Sequence, residues 1–394
     1  MSRYRLVPTA AQEAVLRDYC SHARFVGNLA VEQQSWWRPG RGGAPGYLEQ
    51  CRQLTDARAE FSWLGGGSQM VQQQALRDFS QAMANFFAGT HGRPTWRKAR
   101  RDEGFRIVAI KAEHVRRPSR HVGEVWIPKV GRVRFRWSRA IPVGVKSYRV
   151  TLDCAKRWHI AFAATPAPTP APGNGMVVGI DRGVAVSAAL STGEMLRAPR
   201  LSPRRQRRLR RLQRKLARAA RGSNRRAWVK HAIARLKARD ADARKDWAEK
   251  TSTDLARRFD VIRAENLRIW GMTRSAAATA QGPGRNVRAK AGLNREIMRS
   301  GWGRLVRPLE DKTPGRVEKV NPAFTSQRCS ACGHIAAESR KSQALFACVA
   351  CNFTLNADVN AARNIAAGHA VTAREGDGIT RPVNREPQLL LRSA

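Results

Sequence analysis

The 394-residue chain is predicted to be an α/β multidomain protein, and three observations carry that prediction. Hydrophobic periodicity passes from helical spacing to strict alternation, and then to short apolar runs separated by a long helical hairpin. A proline-rich stretch, Thr165-Pro-Ala-Pro-Thr-Pro-Ala-Pro-Gly173, reads as a semi-rigid extended linker between the alternating part and the apolar runs. Four cysteines near the C-terminus, in two CxxC pairs, add a small metal-held element.

The elements follow in order. Arg3 to Val7 reads as a strand that breaks at Pro8. A helix follows, with Leu16, Tyr19, Ala23, Val26 and Ala30 at three- and four-residue steps. The Gly/Pro stretch from Pro39 to Gly46 interrupts it. A second long helix starts after Gly65-Gly-Gly-Ser68, with Ser68 as its expected N-cap and Leu76, Phe79, Met83 and Phe86 as its stripe. Residues 10–90 therefore read as a helical bundle. Trp36, Trp37, Trp63 and Trp96 are expected in its core rather than stacked on bases. The period then becomes two: Val133, Phe135 and Trp137 alternate with Arg132, Arg134 and Arg136. Tyr148–Leu152 and Trp158–Phe162 bracket a hairpin turn. These strands suggest a small β-barrel whose outer arginine row, Arg132, Arg134 and Arg136, meets nucleic acid.

Beyond the linker, Met176–Ile180 is a fully apolar strand ending on Asp181. Val184–Leu190 makes a second strand, and Ser191-Thr-Gly193 turns into a third. An arginine-loaded helical hairpin spans Arg204 to Lys250, with Leu209, Leu212 and Leu216 on one arm and Trp228, Ala232, Ile233 and Leu236 on the other. Phe259–Glu265 and Arg316–Val320 read as further strands. A last helix contains Asp358 and runs to about Ala367; the tail beyond Gly368 has no periodicity and is expected to be loose.

Charge narrows the function. Lys plus Arg number 73 against 30 acidic residues, a net charge of +43 and a pI near 11.6. A compact chain so charged repels itself unless a polyanion neutralises it, so the expected partner is nucleic acid. The hairpin concentrates this charge: Arg204, Arg205, Arg207, Arg208, Arg210, Arg211, Arg214 and Lys215 nearly encircle its first arm. An ordinary surface helix would interleave acids at i,i+4, so this arm is expected to grip a phosphate backbone. No apolar run approaches the ~18 residues that span a bilayer. The first residues lack a signal-peptide core, and Cys20, Cys51 and Cys154 make no disulfide framework, so a cytoplasmic location is expected.

Cys329-Ser-Ala-Cys332 and Cys348-Val-Ala-Cys351, fifteen residues apart, supply four thiolates able to converge on one structural Zn²⁺. Three carboxylates stand out by position. Asp181 and Glu265 each close a strand, and Asp358 opens a helix of small residues. Three such acids suit Mg²⁺, and two ions about 3.5–4 Å apart can activate water and steady a leaving oxygen in phosphodiester cleavage. That is the layout of an RNase H-like nuclease core.

Ordered segments carry a family likeness. Gly179-Ile-Asp181-Arg-Gly-Val, Ala264-Glu265-Asn-Leu and Asp358-Val-Asn-Ala-Ala-Arg-Asn-Ile resemble the three RuvC motifs of the transposon-encoded TnpB (OrfB-like) proteins. Asn321-Pro-Ala-Phe-Thr-Ser-Gln-Arg-Cys329 is similar to their approach to the zinc ribbon. Compact type V CRISPR effectors share these motifs. The resemblance implies a wedge-like barrel formed by residues 1–9 and 101–164, with a helical recognition insertion at 10–100. The linker is 165–175. A RuvC nuclease domain follows at 176–325 and 356–368, carrying the hairpin and an inserted zinc ribbon at 326–355; the tail is 369–394. It implies an RNA-guided DNA endonuclease that binds a structured guide RNA, reads a short target-adjacent motif and cuts double-stranded target DNA in a single Mg²⁺ site. A homodimer on the RNA is left open. So are an RNA-guided DNA binder that represses without cutting, a transposase, and a basic zinc-ribbon RNA-binding protein.

Overall fold

Pro8 ends the first strand because it brings no N–H, and Thr9 starts the first helix because its hydroxyl accepts from Gln12 N while the Gln12 side chain returns the bond. The computed structural model describes residues 2–37, 40, 43–101, 103–165, 167–276 and 284–368; the expected loose tail lies outside them. Two compact units emerge: Met1–Pro168 with Pro199–Asp246, and Thr169–Ala198 with Trp247–Ala394. Residues 199–246 of the hairpin thus group with the first unit, whereas the division read from sequence placed them with 176–325.

The first unit opens with β1 (Ser2–Val7) and α1 (Ala10–Ser35). Next come α2 (Tyr47–Glu60), a one-turn α3 (Ser62–Gly65) and α4 (Gln69–Phe87). The chain returns through β2 (Glu103–Val108), β3 (Val115–Ser119), β4 (Val122–Ile127), β5 (Gly131–Arg136), β6 (Ser147–Leu152) and β7 (Trp158–Ala163). These seven strands form one antiparallel sheet in the order β2-β6-β7-β1-β5-β4-β3. The sheet curls on itself: the Tyr148 hydroxyl on β6 donates to Trp126 O on β4, four places away, at 3.0 Å. Tyr4 packs edge-on against Phe135 and Phe162 inside this curl, and the predicted stripes of α1 and α4 share the same core.

Three expectations change here. Helix α2 was not foreseen. Ser68 is buried and makes no side-chain cap. The four tryptophans expected in the core are instead half exposed, Trp63 at 50% and Trp96 at 56%.

The second unit contains β8 (Val177–Asp181), β9 (Ala188–Leu190) and β10 (Met195–Leu196). The hairpin helices are α5 (Pro203–Arg218) and α6 (Asn224–Arg258), the latter reaching the second unit from Trp247 onward. Trp228 is exposed, and Val229 fills the buried position expected of it. Then follow β11 (Val261–Glu265), α7 (Ile269–Met272), α8 (Val287–Ser300), α9 (Trp302–Lys312) and β12 (Val317–Val320). Strands β13 (Leu345–Ala347) and β14 (Thr354–Asn356) pair before α10 (Ala357–Ala366). The five-stranded sheet runs β10-β9-β8-β11-β12, with β8, β11 and β12 parallel. The proline-rich segment is not a free tether beyond Thr169. Thr169 N donates to Lys312 O at 2.7 Å, and Gly173 N donates to the Asp260 carboxylate at 2.9 Å.

Side chains alternate across a strand, and this sorts β8 into two faces. Val178 and Ile180 join Ile262 and Ala264 in a core with Leu305 and Leu309. Gly179 faces α10 instead, so closely that an added Cβ would lie 2.0 Å from Ala362 O and 2.4 Å from Ala366 N. Both obstacles are helix backbone and cannot swing aside. Gly179→Ala is therefore expected to destabilise the second unit by about 3 kcal/mol or more, measured as a lower unfolding midpoint and early proteolysis.

Candidate active site and metal centre

Asp181 is two residues beyond Gly179 on β8, and so shares its α10-facing side. In the parallel register Ile180 lies opposite Ala264, which brings Asp181 and Glu265 abreast at the C-terminal ends of β8 and β11. Carboxyl ends of neighbouring parallel strands are where open α/β sheets place ligands. Asp358 enters from α10. Asn356 caps that helix, its side chain accepting from Asp358 N at 3.0 Å and Val359 N at 3.2 Å. The cap holds Asp358 in the first helical turn, where the helix dipole favours an anion.

The electrostatics join the three acids. Burial, followed by the charges of Glu265 and Asp358, pushes the Asp181 carboxyl well above its ordinary range. Burial also raises Asp358, while Arg340 pulls it back. Arg340, from the loop between the cysteine pairs, lies 3.5 Å from Asp358. Buried Arg182, which feels Glu265 and Asp181, and Arg340 offset the three sheltered carboxylates only in part, and the remaining negative charge is what a divalent cation would relieve. The oxygens do not gather as tightly as the thiols: among the described residues, only the four cysteines place every ligand atom within 4.8 Å of the rest.

The four cysteines fit one tetrahedral ion. Cys329 Sγ and Cys351 Sγ are 3.8 Å apart, Cys332 Sγ and Cys348 Sγ 3.6 Å. Four sulfurs about 2.3 Å from a central zinc would stand about 3.8 Å from one another. Both knuckles fold alike, with Gly333 N returning to Cys329 O and Asn352 N to Cys348 O. Gly333 and Asn352 both have positive φ, a conformation that glycine and asparagine tolerate best.

The structure adds residues that sequence reading passed over. The Thr325 hydroxyl donates to Glu265 Oε1 at 2.7 Å. Buried Arg182 reaches the Glu265 backbone carbonyl, and Trp302 Nε1 donates to Gly183 O at 2.8 Å, so both acid-bearing strand ends are braced. Asn360 and Asn364, one turn apart on α10, latch the first knuckle. Each donates to Arg328 O at 2.7 Å, Asn360 Oδ1 accepts from Ser330 N, and Asn364 also donates to Thr325 O. The i,i+4 asparagine spacing among small residues was the one signal available for them. Asn364→Ala is expected to cost about 1–3 kcal/mol by leaving buried carbonyls short of a donor, seen as a lower unfolding temperature. The Asn360→Ala, Asn364→Ala double variant should not add simply, because the two share Arg328 O.

The expected nucleic-acid contacts fall on accessible surface in the first unit. Arg204, Arg205, Arg207, Arg208, Arg211, Arg214 and Lys215 are exposed on α5, with only Leu209 and Leu212 buried among them. Arg134 and Arg136 are exposed on β5, while Arg132 is partly covered. Arg134 lies 3.5 Å from Glu124, so part of its charge is already engaged. Among the described residues, no helix is long and apolar enough to cross a membrane.

Comparison with known proteins agrees with this architecture. Residues 159–276 match the OrfB_IS605 family model, "Probable transposase", and residues 302–365 match the Cas12f1-like TNB domain. A helix-turn-helix model matches residues 2–42, a span that includes β1 and the long α1. The chain is 36% identical over 403 residues to "Putative RNA-guided DNA endonuclease InsQ" of Escherichia coli (strain K12), covering 99% of this chain and 98% of that one. It is 31% identical over 389 residues to a "Putative RNA-guided DNA endonuclease" of Streptomyces pristinaespiralis, covering 96% and 91%. The fold resembles a Cas12f1 chain solved with single-guide RNA and target DNA, with a TM-score of 0.56 at 15% identity over 90% of this chain and 83% of that one. Near-complete coverage at this identity, with family models matching both halves, establishes that the chain belongs to the TnpB (OrfB-like) family, kin to the compact type V CRISPR effectors.

Proposed function

We propose that the protein is an RNA-guided DNA endonuclease with a single Mg²⁺-dependent RuvC site. One observation carries this reading: Glu265 and Asp358, from a parallel strand end and a helix start, both act on buried Asp181 at the neighbouring strand end and raise its carboxyl. Asp181, Glu265 and Asp358 would hold two Mg²⁺ ions, which would supply an activated water and stabilise the leaving oxygen. The chain's own residues do the rest. Thr325 orients the Glu265 carboxylate, Arg182 fixes its backbone, and α10 carries Asp358 to the sheet edge. Arg340, beside Asp358, would be placed to meet a substrate phosphate.

In this reading residues 1–9 and 101–164 form the wedge-like barrel, 10–100 the recognition insertion, and 176–325 with 356–368 the RuvC domain. The ribbon at 326–355, held by one structural zinc on Cys329, Cys332, Cys348 and Cys351, faces target nucleic acid. Guide RNA lies along the arginines of α5 and β5. Base pairing with the guide selects the target, the protein reads a short adjacent motif, and a homodimer on the RNA is compatible with this arrangement.

The test uses the purified chain with its co-purifying RNA, a plasmid carrying the complement of the guide, and Mg²⁺. A linear product that EDTA abolishes is the expected result. Bound but uncut plasmid would assign the chain to repression instead, and transfer of a labelled DNA end without RNA would assign it to transposition. Retention of RNA with no engagement of matched DNA would leave a basic RNA-binding protein.

A further inference from the structure

A cleft of ≈ 440 Å³ opens on the helical insertion, walled by Phe25, Trp63 and Trp96 with Asp18, Asn28 and Glu32 around them. Its aromatic rings are accessible yet held. Phe25 meets Trp63 edge to face, with centroids 5.0 Å apart and planes at 83°. Trp96 precedes Arg97, whose backbone is clamped at both ends by Asn28: Arg97 N donates to Asn28 Oδ1 at 2.7 Å, and Asn28 Nδ2 donates to Arg97 O at 3.0 Å. The Arg97 guanidinium then reaches Ala23 O and Gly104 O. The strap bearing Trp96 is thus fixed to α1 while its indole stays 56% exposed.

Two half-exposed indoles held around a cleft are costly unless something flat covers them. Charge identifies what. The strap around Trp96 presents Arg93, Lys98 and Arg100 to solvent, a path for a phosphate backbone. Arg24, inside the cleft, is already taken by both oxygens of Glu103. Asp18 and Glu32 repel phosphate but accept hydrogen bonds from amino groups. A second copy of this chain docking an apolar face would bury those carboxylates without partners, which disfavours it. A flat aromatic body, an amino edge and a trailing polyanion together describe a nucleotide.

The geometry points to this cleft as a site for one unpaired, amino-bearing nucleobase, stacked on Trp63 and Trp96 with Asp18 or Glu32 accepting from its amino group. The inference rests on the nucleic-acid reading above and adds a site that reading does not require. Any aromatic base can stack, so selection falls on the edge that the carboxylates meet. The base comes from the guide RNA or from the target DNA, and the same probe in each strand tells them apart.

The experiment assembles the full chain with its co-purifying RNA and matched target DNA, placing 2-aminopurine at unpaired positions of the RNA and, separately, of the DNA. One position should be quenched in the unaltered complex and brighten several-fold with Trp63→Ala or Trp96→Ala. Trp96→Phe should keep most of the quenching. An abasic nucleotide there should weaken binding by the unaltered protein about tenfold, and binding by Trp96→Ala no further. Trp96 is more than half exposed, so Trp96→Ala should leave the unfolding temperature unmoved. A complex that forms normally, with no position responding to either substitution, overturns the inference. So does a dimer in sedimentation that the same substitutions split without any change in fluorescence. Failure of the unaltered chain to bind any RNA would sink the nuclease reading itself, and this site with it.

Discussion

Asp181→Asn, Glu265→Gln and Asp358→Asn should each reduce cleavage of guide-matched DNA by at least about 10³-fold, and combining two should cost little more than one. The amides keep shape and hydrogen bonding, so the Thr325 bond to position 265 and the cap at Asn356 survive. What disappears is anionic ligand capacity, which an amide oxygen replaces poorly for a hard divalent ion. Binding of guide and target should hold or tighten, since each change removes a negative charge near phosphate. A cleaved product at near-normal rate from Asp181→Asn would remove the acid cluster from the chemistry.

The same cluster makes a prediction that needs no turnover. Asp181 is raised in the folded chain, mainly by burial and then by Glu265 and Asp358. Its contribution to stability is therefore present at low pH, where it is protonated, and is lost as pH rises through its elevated folded value. Without metal, the second unit should lose stability over that rise. Mg²⁺ held by the ionised form would offset the loss, so stabilisation by Mg²⁺ should grow with pH. Asp181→Asn should flatten both trends. Melting curves at several pH values, with and without Mg²⁺, measure this directly.

How much of this was legible in the sequence follows from how local each signal is. Val177 to Ile180 is an apolar run closed by an acid, Val261 to Ala264 is the same but for Arg263, and that pattern placed both carboxylates at strand ends. Cysteine spacing likewise gave the metal site, because each knuckle is built within five residues. The braces were not legible. Thr325 meets a residue sixty positions away, and Asn364 one nearly forty away, so nothing near either residue announces its partner. Helix α9 was missed because its apolar face makes sense only against the sheet it covers, where Leu305, Val306 and Leu309 join the strand residues. The tryptophans show the opposite failure. Hydrophobicity reports that Trp63 and Trp96 avoid water but not that the fold leaves them open, and only the clamp of Asn28 on Arg97 reveals that this exposure is built in.

Zinc removal should have the largest effect on stability. Structural zinc contributes on the order of 10 kcal/mol in small ribbons, and this ribbon has little else: a short β13–β14 pair and a core of Phe346, Ala357 and the cysteines themselves. Without the ion, four thiols remain packed within 4.8 Å with nothing to hold them. The loss would not stay in the ribbon. The first knuckle gives Arg328 O and Ser330 N to Asn360 and Asn364, and the Thr325 hydroxyl just before it holds Glu265. Arg340, in the same ribbon, sits against Asp358. Chelation, or Cys329→Ser at a buried ligand position, should therefore expose residues 325–356 to protease and release one zinc per chain. It should also abolish cleavage even with Asp181, Glu265 and Asp358 intact. The first unit's core around Tyr4, Phe135 and Phe162 shares no residue with the ribbon's core, so its melting should be unchanged. A zinc-free chain with a protected ribbon and full cleavage would show that the metal is dispensable and that the asparagine latches suffice.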